Sequence, residues 1–428
     1  MMKKYFVAMI ILGSIIAFLL YSIMNKQEFQ QNTVESQIAF SLKEDLNKKD
    51  SESLMIRVLI KTTGFKDEYH KKVELSAESG LVIEDEDGET EVDSNQRVVF
   101  GAGEKIKTIT AKKEGDKVII HSVERGYGTP AYRGTIMLYP SDKGVAVINE
   151  LQLEEYLYAV VPSEMPASYE LEALKAQAIC ARCYAYNQMQ TMAYPEFETH
   201  VDDSVSYQVY NNSKEQDVST MAVKDTDGQK LWYGDQVAMT YFYSTSGGES
   251  TSVEAWGTKL IDENNYLKGV AISDDSGDDY EEGLAWYRWT AEIPKKIMEN
   301  LIEKNCCKEI GELKGIEVTK KGAGGVVLEI QVFGTKETIT VQTENKVREA
   351  LGGDGYKIKK QDGTVINSMK LLPSAFFSIE KSGDYFIIRG GGYGHGIGMS
   401  QNGANELAKT GKNYKEILEF FYPGTKVE

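Results

Sequence analysis

LQLEEYLYAVVPSEMPASYELEALKAQAICARCYAYNQMQ, residues 151–190, is where the chain changes its period. Leu153, Leu157, Val160 and Val161 recur at helical spacing and make one apolar stripe, so a helix is expected from Leu151. VPSEMPASYE breaks the pattern, with Pro162 and Pro166 flanking Ser163, Glu164 and Met165. A second helix is expected from Ser168 as N-cap, with Glu170 and Glu172 in the first turn, where the helix dipole favours negative charge. Glu164 is thereby expected in a proline-bounded turn between two helices.

Outward from this segment the period is two. From Leu54 to Asn149 short apolar runs such as MIRVLIKTT, KVELSA, KVIIHSVE and GVAVIN alternate with Gly, Asp and Asn, the pattern of strands and turns. Beyond a loop at 194–218, further strands are expected in GIEVTKK, GVVLEIQVFG, KETITVQ, AFFSIEKSG and DYFIIRGGG, with a short helix in KKIMENLIEKN. Two helices are expected at the end, one after Met399 and one in NYKEILEFFYPG, where Asn413 and Glu416 form an N-cap pair. The fold class is α+β: strand-rich, with a central two-helix segment, glycine-rich loops and two C-terminal helices.

Tyr5 to Ile23 holds 19 residues without a charge, preceded by Lys3 and Lys4. A helix of that length spans ~28 Å, close to a bilayer core. The flanking lysines favour a cytoplasmic N-terminus. No small-residue cleavage site follows, so an uncleaved single-pass anchor is expected rather than a signal peptide. The expected organisation is an anchor at 1–24, a polar spacer at 25–53, a strand-rich part at 54–149 and a core at 150–428. The net charge of −17 argues against nucleic acid as a partner, because phosphate binding needs clustered Lys and Arg.

Four cysteines make no disulfide scaffold. Cys180 and Cys183 share a helix face at i, i+3, which reads as packing by small buried hydrophobes. Glu164 differs from the surface acids in its frame of Val160, Val161, Pro162, Met165 and Pro166. Partial burial raises a carboxyl pKa, and a raised glutamate suits proton donation to a glycosidic oxygen. Ordinary glycosidases pair two carboxylates, for which Asp202 and Asp203 are candidates. Two glycine-flanked polar clusters, YSTSGGES (243–250) and GGYGHGIGMSQNG (391–403), follow apolar strands. Their glycines could admit a ligand close to the backbone, with serines, Gln401 and His395 supplying hydrogen bonds; the plainer readings are a hairpin turn and a structural histidine. His395 has no neighbouring His or Cys with which to hold zinc.

Four ordered motifs carry a resemblance: LEEYLYAVVPSEMPASYELEALKAQA, DDSVSYQVY, YSTSGGES and RGGGYGHGIGMSQNGANELAKTGKNYKEILEFFYPGT. Together, across residues 54–428, they resemble the SpoIID/LytB family of stage II sporulation protein D and its relatives. The resemblance implies a membrane-anchored lytic transglycosylase that cleaves peptidoglycan glycan strands, already stripped of stem peptides by a partner amidase, to 1,6-anhydro ends, working with that amidase and other engulfment proteins in sporulation or in wall remodelling. It implies Glu164 as the catalytic acid and Lys175, Arg182, Ser246, Gly247, Gly248, His395, Ser400 and Gln401 as substrate-binding positions, with no cofactor. Many family members carry Cys and His-Cys before Gln-Val-Tyr; Ser206 and Tyr207 stand there in this chain, so no zinc is expected. The other readings are a non-catalytic wall-binding or amidase-activating protein, which would not need Glu164, and a zinc amidase, which four histidines disfavour.

Overall fold

The computed structural model describes residues 54–428. The anchor expected at 5–23 and the spacer at 25–53 lie outside the described residues. The expected α+β, strand-rich character holds across residues 55–428, which form one unit.

The strand Gly144–Gln152 organises the first part. It is buried along nearly its whole length, as its apolar run requires. Met55–Ile60 and Thr135–Ser141 pair antiparallel on its two sides. The sheet continues through Lys107–Ala111 and Leu81–Asp85 to Gly88–Val92 at one edge. At the other edge Val201–Asp202 joins Met55–Ile60 in parallel. A second sheet runs Val98–Gly101, Lys72–Ala77, Val118–Ile120, Ala131–Tyr132.

The helix expected from Leu151 starts two residues later. Leu151 and Gln152 still pair with Ile56 and Met55, because a partner strand is there to take their backbone groups. The acid-bearing helix, Leu153–Glu164, runs through Pro162 and ends on Glu164 itself, so the expected proline-bounded turn is instead the last turn of this helix. The long helix, Leu171–Gln188, is capped at Glu170 rather than Ser168, with no side-chain bond. Ala173, Ala176, Ala178, Ala181 and Ala185 are all buried on it. Their small side chains let it pack at once against the acid-bearing helix, Asp217–Asp225, Gln401–Lys409 and Tyr414–Phe421.

Residues 289–390 build around their own core. A five-stranded sheet runs Val365–Asn367, Lys357–Lys360, Trp289–Pro294, Tyr385–Gly390, Phe377–Ser382, and a three-stranded one runs Leu313–Lys321, Val327–Gly334, Thr338–Gln342. With the helices Lys295–Cys306 and Glu344–Leu351 they enclose Trp289, Ile293, Met298, Ile302, Ile330, Val332, Phe386 and Ile388. The expected strands and the first helix are present. Glu344–Leu351 was not expected: it is eight residues long, and its signature is little more than Thr343 accepting from the Lys346 N–H. Outside this body, Phe242–Tyr243 pairs in parallel with Met399–Ser400, which brings the two glycine-rich motifs side by side.

Candidate active site

Ser163 and Glu164 close the acid-bearing helix and anchor the loop that follows Asp203. The Ser163 hydroxyl donates to Ala159 O at 2.6 Å and accepts from the Asn212 and Ser213 N–H groups at 3.0 Å each. Glu164 Oε1 accepts from the Val209 N–H at 2.6 Å. Glu164 as a residue is partly exposed. Its surroundings are nonetheless tightly packed, and burial pushes its carboxyl up to about 7, against the opposing pull of the Val209 bond. Its charge is felt at the Tyr156 and Tyr184 phenols.

Tyr184 leads to a cavity of about 890 Å³. One wall is aromatic: Tyr184, Tyr207, Tyr241, Trp256 and His395. Tyr184–Tyr241, Tyr241–Trp256 and Trp256–His395 centroids lie 6.3, 4.8 and 4.9 Å apart at 69°, 89° and 57°, so the rings form an unbroken run of edge-to-face and tilted contacts. Residues 344–371 also line the cavity, with Glu344, Lys346, Arg348 and Lys370, and Glu344 Oε2 accepts from Trp256 Nε1 at 3.3 Å. Only Gln208 separates Tyr207, on the cavity, from Val209, on the acid.

His395 is held by backbone at both ring nitrogens. The Ile397 N–H donates to Nδ1 at 3.1 Å, so Nε2 carries the proton and donates to Phe242 O at 2.9 Å. Burial, reinforced by Arg348, lowers its pKa to about 3, so the ring is neutral at physiological pH. It offers the cavity a ring face, with neither nitrogen free for a ligand. His395→Ala is therefore expected to cost about 1–3 kcal/mol in urea unfolding, because Phe242 O and Ile397 N–H lose their partner. An unchanged midpoint would show that these bonds are dispensable.

The glycines were expected to make room for a ligand. In the structure they make room for neighbouring chain. Gly392, Gly394, Gly396 and Gly398 all have positive φ, and the backbone packs closely against its partner motif there. A Cβ on Gly398 would lie 2.0 Å from Tyr241 O, and one on Gly248 2.4 Å from Asp279 Oδ2. Gly247 and Gly248 do line a second cavity of about 810 Å³, with Arg288, Lys321 and Phe376.

The remaining expected positions fall in three groups. Gln401 reaches the acid directly, its Nε2 donating to Glu164 O at 3.0 Å. Ser246 and Ser400 are buried and both bind Glu281. Lys175 and Arg182 line neither cavity. Lys175 pairs with Glu172 at 3.2 Å and Asp225 at 3.1 Å. Arg182 is fully buried, forked onto Glu154 at 2.6 and 2.7 Å. The candidate second carboxylates are also tied up. Asp203 binds the buried Arg125. Asp202 accepts from Ser204 at 2.6 Å and Tyr194 at 2.8 Å. Among the described residues no group of three or more His, Cys, Asp and Glu side chains could hold a metal ion. Ser206 and Tyr207 line the aromatic cavity, and Cys180 and Cys183 are buried free thiols.

Sequence reasoning missed Tyr184, Tyr241, Trp256 and Glu281. The tyrosines lie in or beside the family motifs, so the density of aromatic residues there was a usable signal. Glu281 had none: it is one acid in DDYEEG.

A family model described as stage II sporulation protein matches residues 141–233, and one described as a domain of unknown function matches residues 229–398. Stage II sporulation protein D of Bacillus subtilis is 30% identical over 319 residues, 70% of this chain and 82% of that protein. An uncharacterized protein of Brachyspira hyodysenteriae is 31% identical over 329 residues, 76% of this chain and 79% of that protein. The amidase enhancer of Bacillus subtilis is 28% identical over 293 residues, 63% of this chain and 40% of that protein.

Proposed function

This chain belongs to the SpoIID family of stage II sporulation protein D, and on that premise we propose that it is a lytic transglycosylase of bacterial cell-wall glycan strands, with Glu164 as proton donor. One observation carries the reading: a carboxyl raised to about 7 ends a helix, and Val209, which binds it, lies two positions from Tyr207 on an aromatic-lined cavity of about 890 Å³. The carboxyl gives its proton to the oxygen joining MurNAc to GlcNAc, and the bond from MurNAc C1 to that oxygen breaks. The resulting carboxylate takes the proton of the MurNAc C6 hydroxyl, whose oxygen closes onto C1. The products are a 1,6-anhydro end and a free GlcNAc hydroxyl; no water is consumed and Glu164 is protonated again. A single carboxyl serves both transfers, which suits a site where Asp202 and Asp203 are bound elsewhere. The aromatic wall supplies faces for the apolar sides of sugar rings. Mass spectrometry of peptide-stripped glycan after digestion tests the reading: anhydro-MurNAc ends are expected, and their absence from the wild-type digest overturns it.

The similarity to a protein named amidase enhancer supports a second reading, in which the same cavity binds glycan and assists a partner amidase. That reading predicts stimulation of an amidase by a chain that releases no anhydro ends itself.

Both readings place residues 54–428 on the outer face of the membrane, behind an anchor at 5–23. Protease added to intact wall-less cells is expected to remove the large domain. A domain that survives protease until the cells are lysed would reverse the topology.

A further inference from the structure

Glu281 is the buried carboxylate that this mechanism leaves unused. It has no cation partner among the described residues and no exposed surface. Its bonds come instead from the two glycine-rich motifs. Oε1 accepts from the Ser246 N–H at 3.0 Å and the Ser400 hydroxyl at 2.8 Å, and Oε2 accepts from the Ser246 hydroxyl.

Ser400 is also the N-cap of Gln401–Lys409, accepting from the Gly403 N–H at 3.2 Å. A Cβ on Gly403 would come within 3.0 Å of Glu281 Oε2, so the first turn of the helix lies directly on the carboxylate. The positive end of the helix thereby faces a carboxyl that burial pushes up to about 7 and that no side-chain cation among the described residues balances.

The other side of the same turn grips the segment that carries the acid. Gln401 Nε2 donates to Glu164 O at 3.0 Å. The Tyr169 hydroxyl donates to Asn402 Oδ1 at 2.6 Å. The Glu170 N–H donates to Asn405 Oδ1 at 2.9 Å. Asn402 Nδ2 returns to the first motif, donating to Ser244 O and Thr245 Oγ1 at 3.0 Å each. A chain of bonds thus runs from Glu281 through Ser400 and one helical turn to the backbone of residues 164–170.

We infer that Glu281 is a positioning residue: through Ser400 it seats the first turn of Gln401–Lys409, and that turn fixes the backbone of the proton donor. The inference rests on Glu164 as the donor. Glu281 does not touch the cavity, so it acts only through its neighbours. Tyr169, Tyr243 and Glu406 are the titratable groups that face it.

The test compares Glu281→Ala and Glu281→Gln in the full chain. Two quantities are measured: amide hydrogen exchange and the kinetics of anhydro-end release from peptide-stripped glycan. Glu281→Ala is expected to speed exchange at Met165, Tyr169 and Glu170 about tenfold or more, with the sheet Met55–Ile60 and Gly144–Gln152 unchanged. A donor displaced by about 1 Å loses rate on the order of 10²-fold, so kcat is expected to fall by that much while KM stays within about twofold. Glu281→Gln keeps the carbonyl acceptor for Ser246 N–H and Ser400, and the Ser246 hydroxyl can turn to accept from the new amide, so it is expected to restore both readouts.

If Glu281→Ala does not fold, Ser400→Ala cuts the same chain one link on and is expected to give the same local loss. Unchanged protection at 164–170 overturns the positioning role, whatever happens to the rate. So does loss of protection across the whole molecule in parallel with kcat. If the wild type releases no anhydro ends, the transglycosylase reading fails separately and the exchange pattern alone decides the positioning.

Discussion

Glu164→Gln is expected to stop release of 1,6-anhydro ends while making the protein more stable at pH 8. A positioned general acid contributes ~10² to 10⁴ in rate, and the amide keeps its shape without a proton to give. The stability change follows from the carboxyl being raised to about 7 in the folded chain against an ordinary value of 4.5. Folding therefore favours the protonated form. Its contribution is fully present below about 4.5 and is lost as pH rises through about 7, where the folded protein must bury an ionised carboxylate. At pH 8 the amide avoids that penalty, a gain of about 1–3 kcal/mol. At pH 4.5 the two proteins should melt together. Wild-type turnover should fall as pH rises through about 7, because the donor is then empty. Anhydro release by Glu164→Gln at the wild-type rate would sink the assignment of the proton to this residue. Equal melting temperatures at pH 8 would show that the carboxylate is not desolvated as described.

Arg182→Ala is expected to be the most destabilising of the substitutions considered. The guanidinium is fully buried, forked onto Glu154, and donates to Gln229 O at 3.1 Å and Val223 O at 3.3 Å. These bonds tie the long helix to the acid-bearing helix and to the end of Asp217–Asp225. Removing one partner of a buried ion pair leaves the other charge unpaired, at a cost of about 3–5 kcal/mol. In a chain this size that corresponds to a fall of about 4–6 °C in melting temperature. Replacing both partners with apolar groups, Arg182→Met with Glu154→Leu, should recover much of the loss, since no charge then stays buried alone. Thermal unfolding of the wild type, the single variant and the double variant checks the sequence of effects. Normal stability with lost glycan binding in Arg182→Ala would return this residue to the ligand.

The helical segment was legible because its period depends on near neighbours. Leu153, Leu157, Val160 and Val161 sit on one stripe and are buried as that stripe requires. The end of the first helix is not legible in sequence, because Pro162 in the last turn carries the local signature of a break. There the last turn is held from outside: Gln401 takes the Glu164 carbonyl and Ser163 takes two loop amides. Those partners lie 49 to 237 residues away in sequence. The acid itself stood out by its apolar frame, which is local. Its Val209 partner and the aromatic wall did not, because tertiary folding alone brings 184, 207, 241 and 256 together. Glycine was ambiguous for the same reason: close approach by a ligand and close approach by another stretch of chain leave the same residue. For Gly392, Gly394 and Gly398 that neighbour is the segment 241–247, roughly 150 positions earlier. Arg182 and Glu281 were illegible because a charged side chain facing a cleft and one facing a buried counterpart look alike in one dimension.

The body at residues 289–390 begins and ends on paired residues: Trp289 sits directly opposite Gly390 across two antiparallel strands. A stretch of about a hundred residues thus leaves the main fold and rejoins it at one place. Such an arrangement can be enlarged, trimmed or exchanged during evolution without moving the ends it is joined to. It holds its own core, so drift within it need not disturb the helices around Glu164. It also supplies Glu344, Lys346, Arg348 and Lys370 to the lining of the aromatic cavity. Substitutions within this body can therefore change the side chains around that cavity while the helices that hold Glu164 keep their own packing.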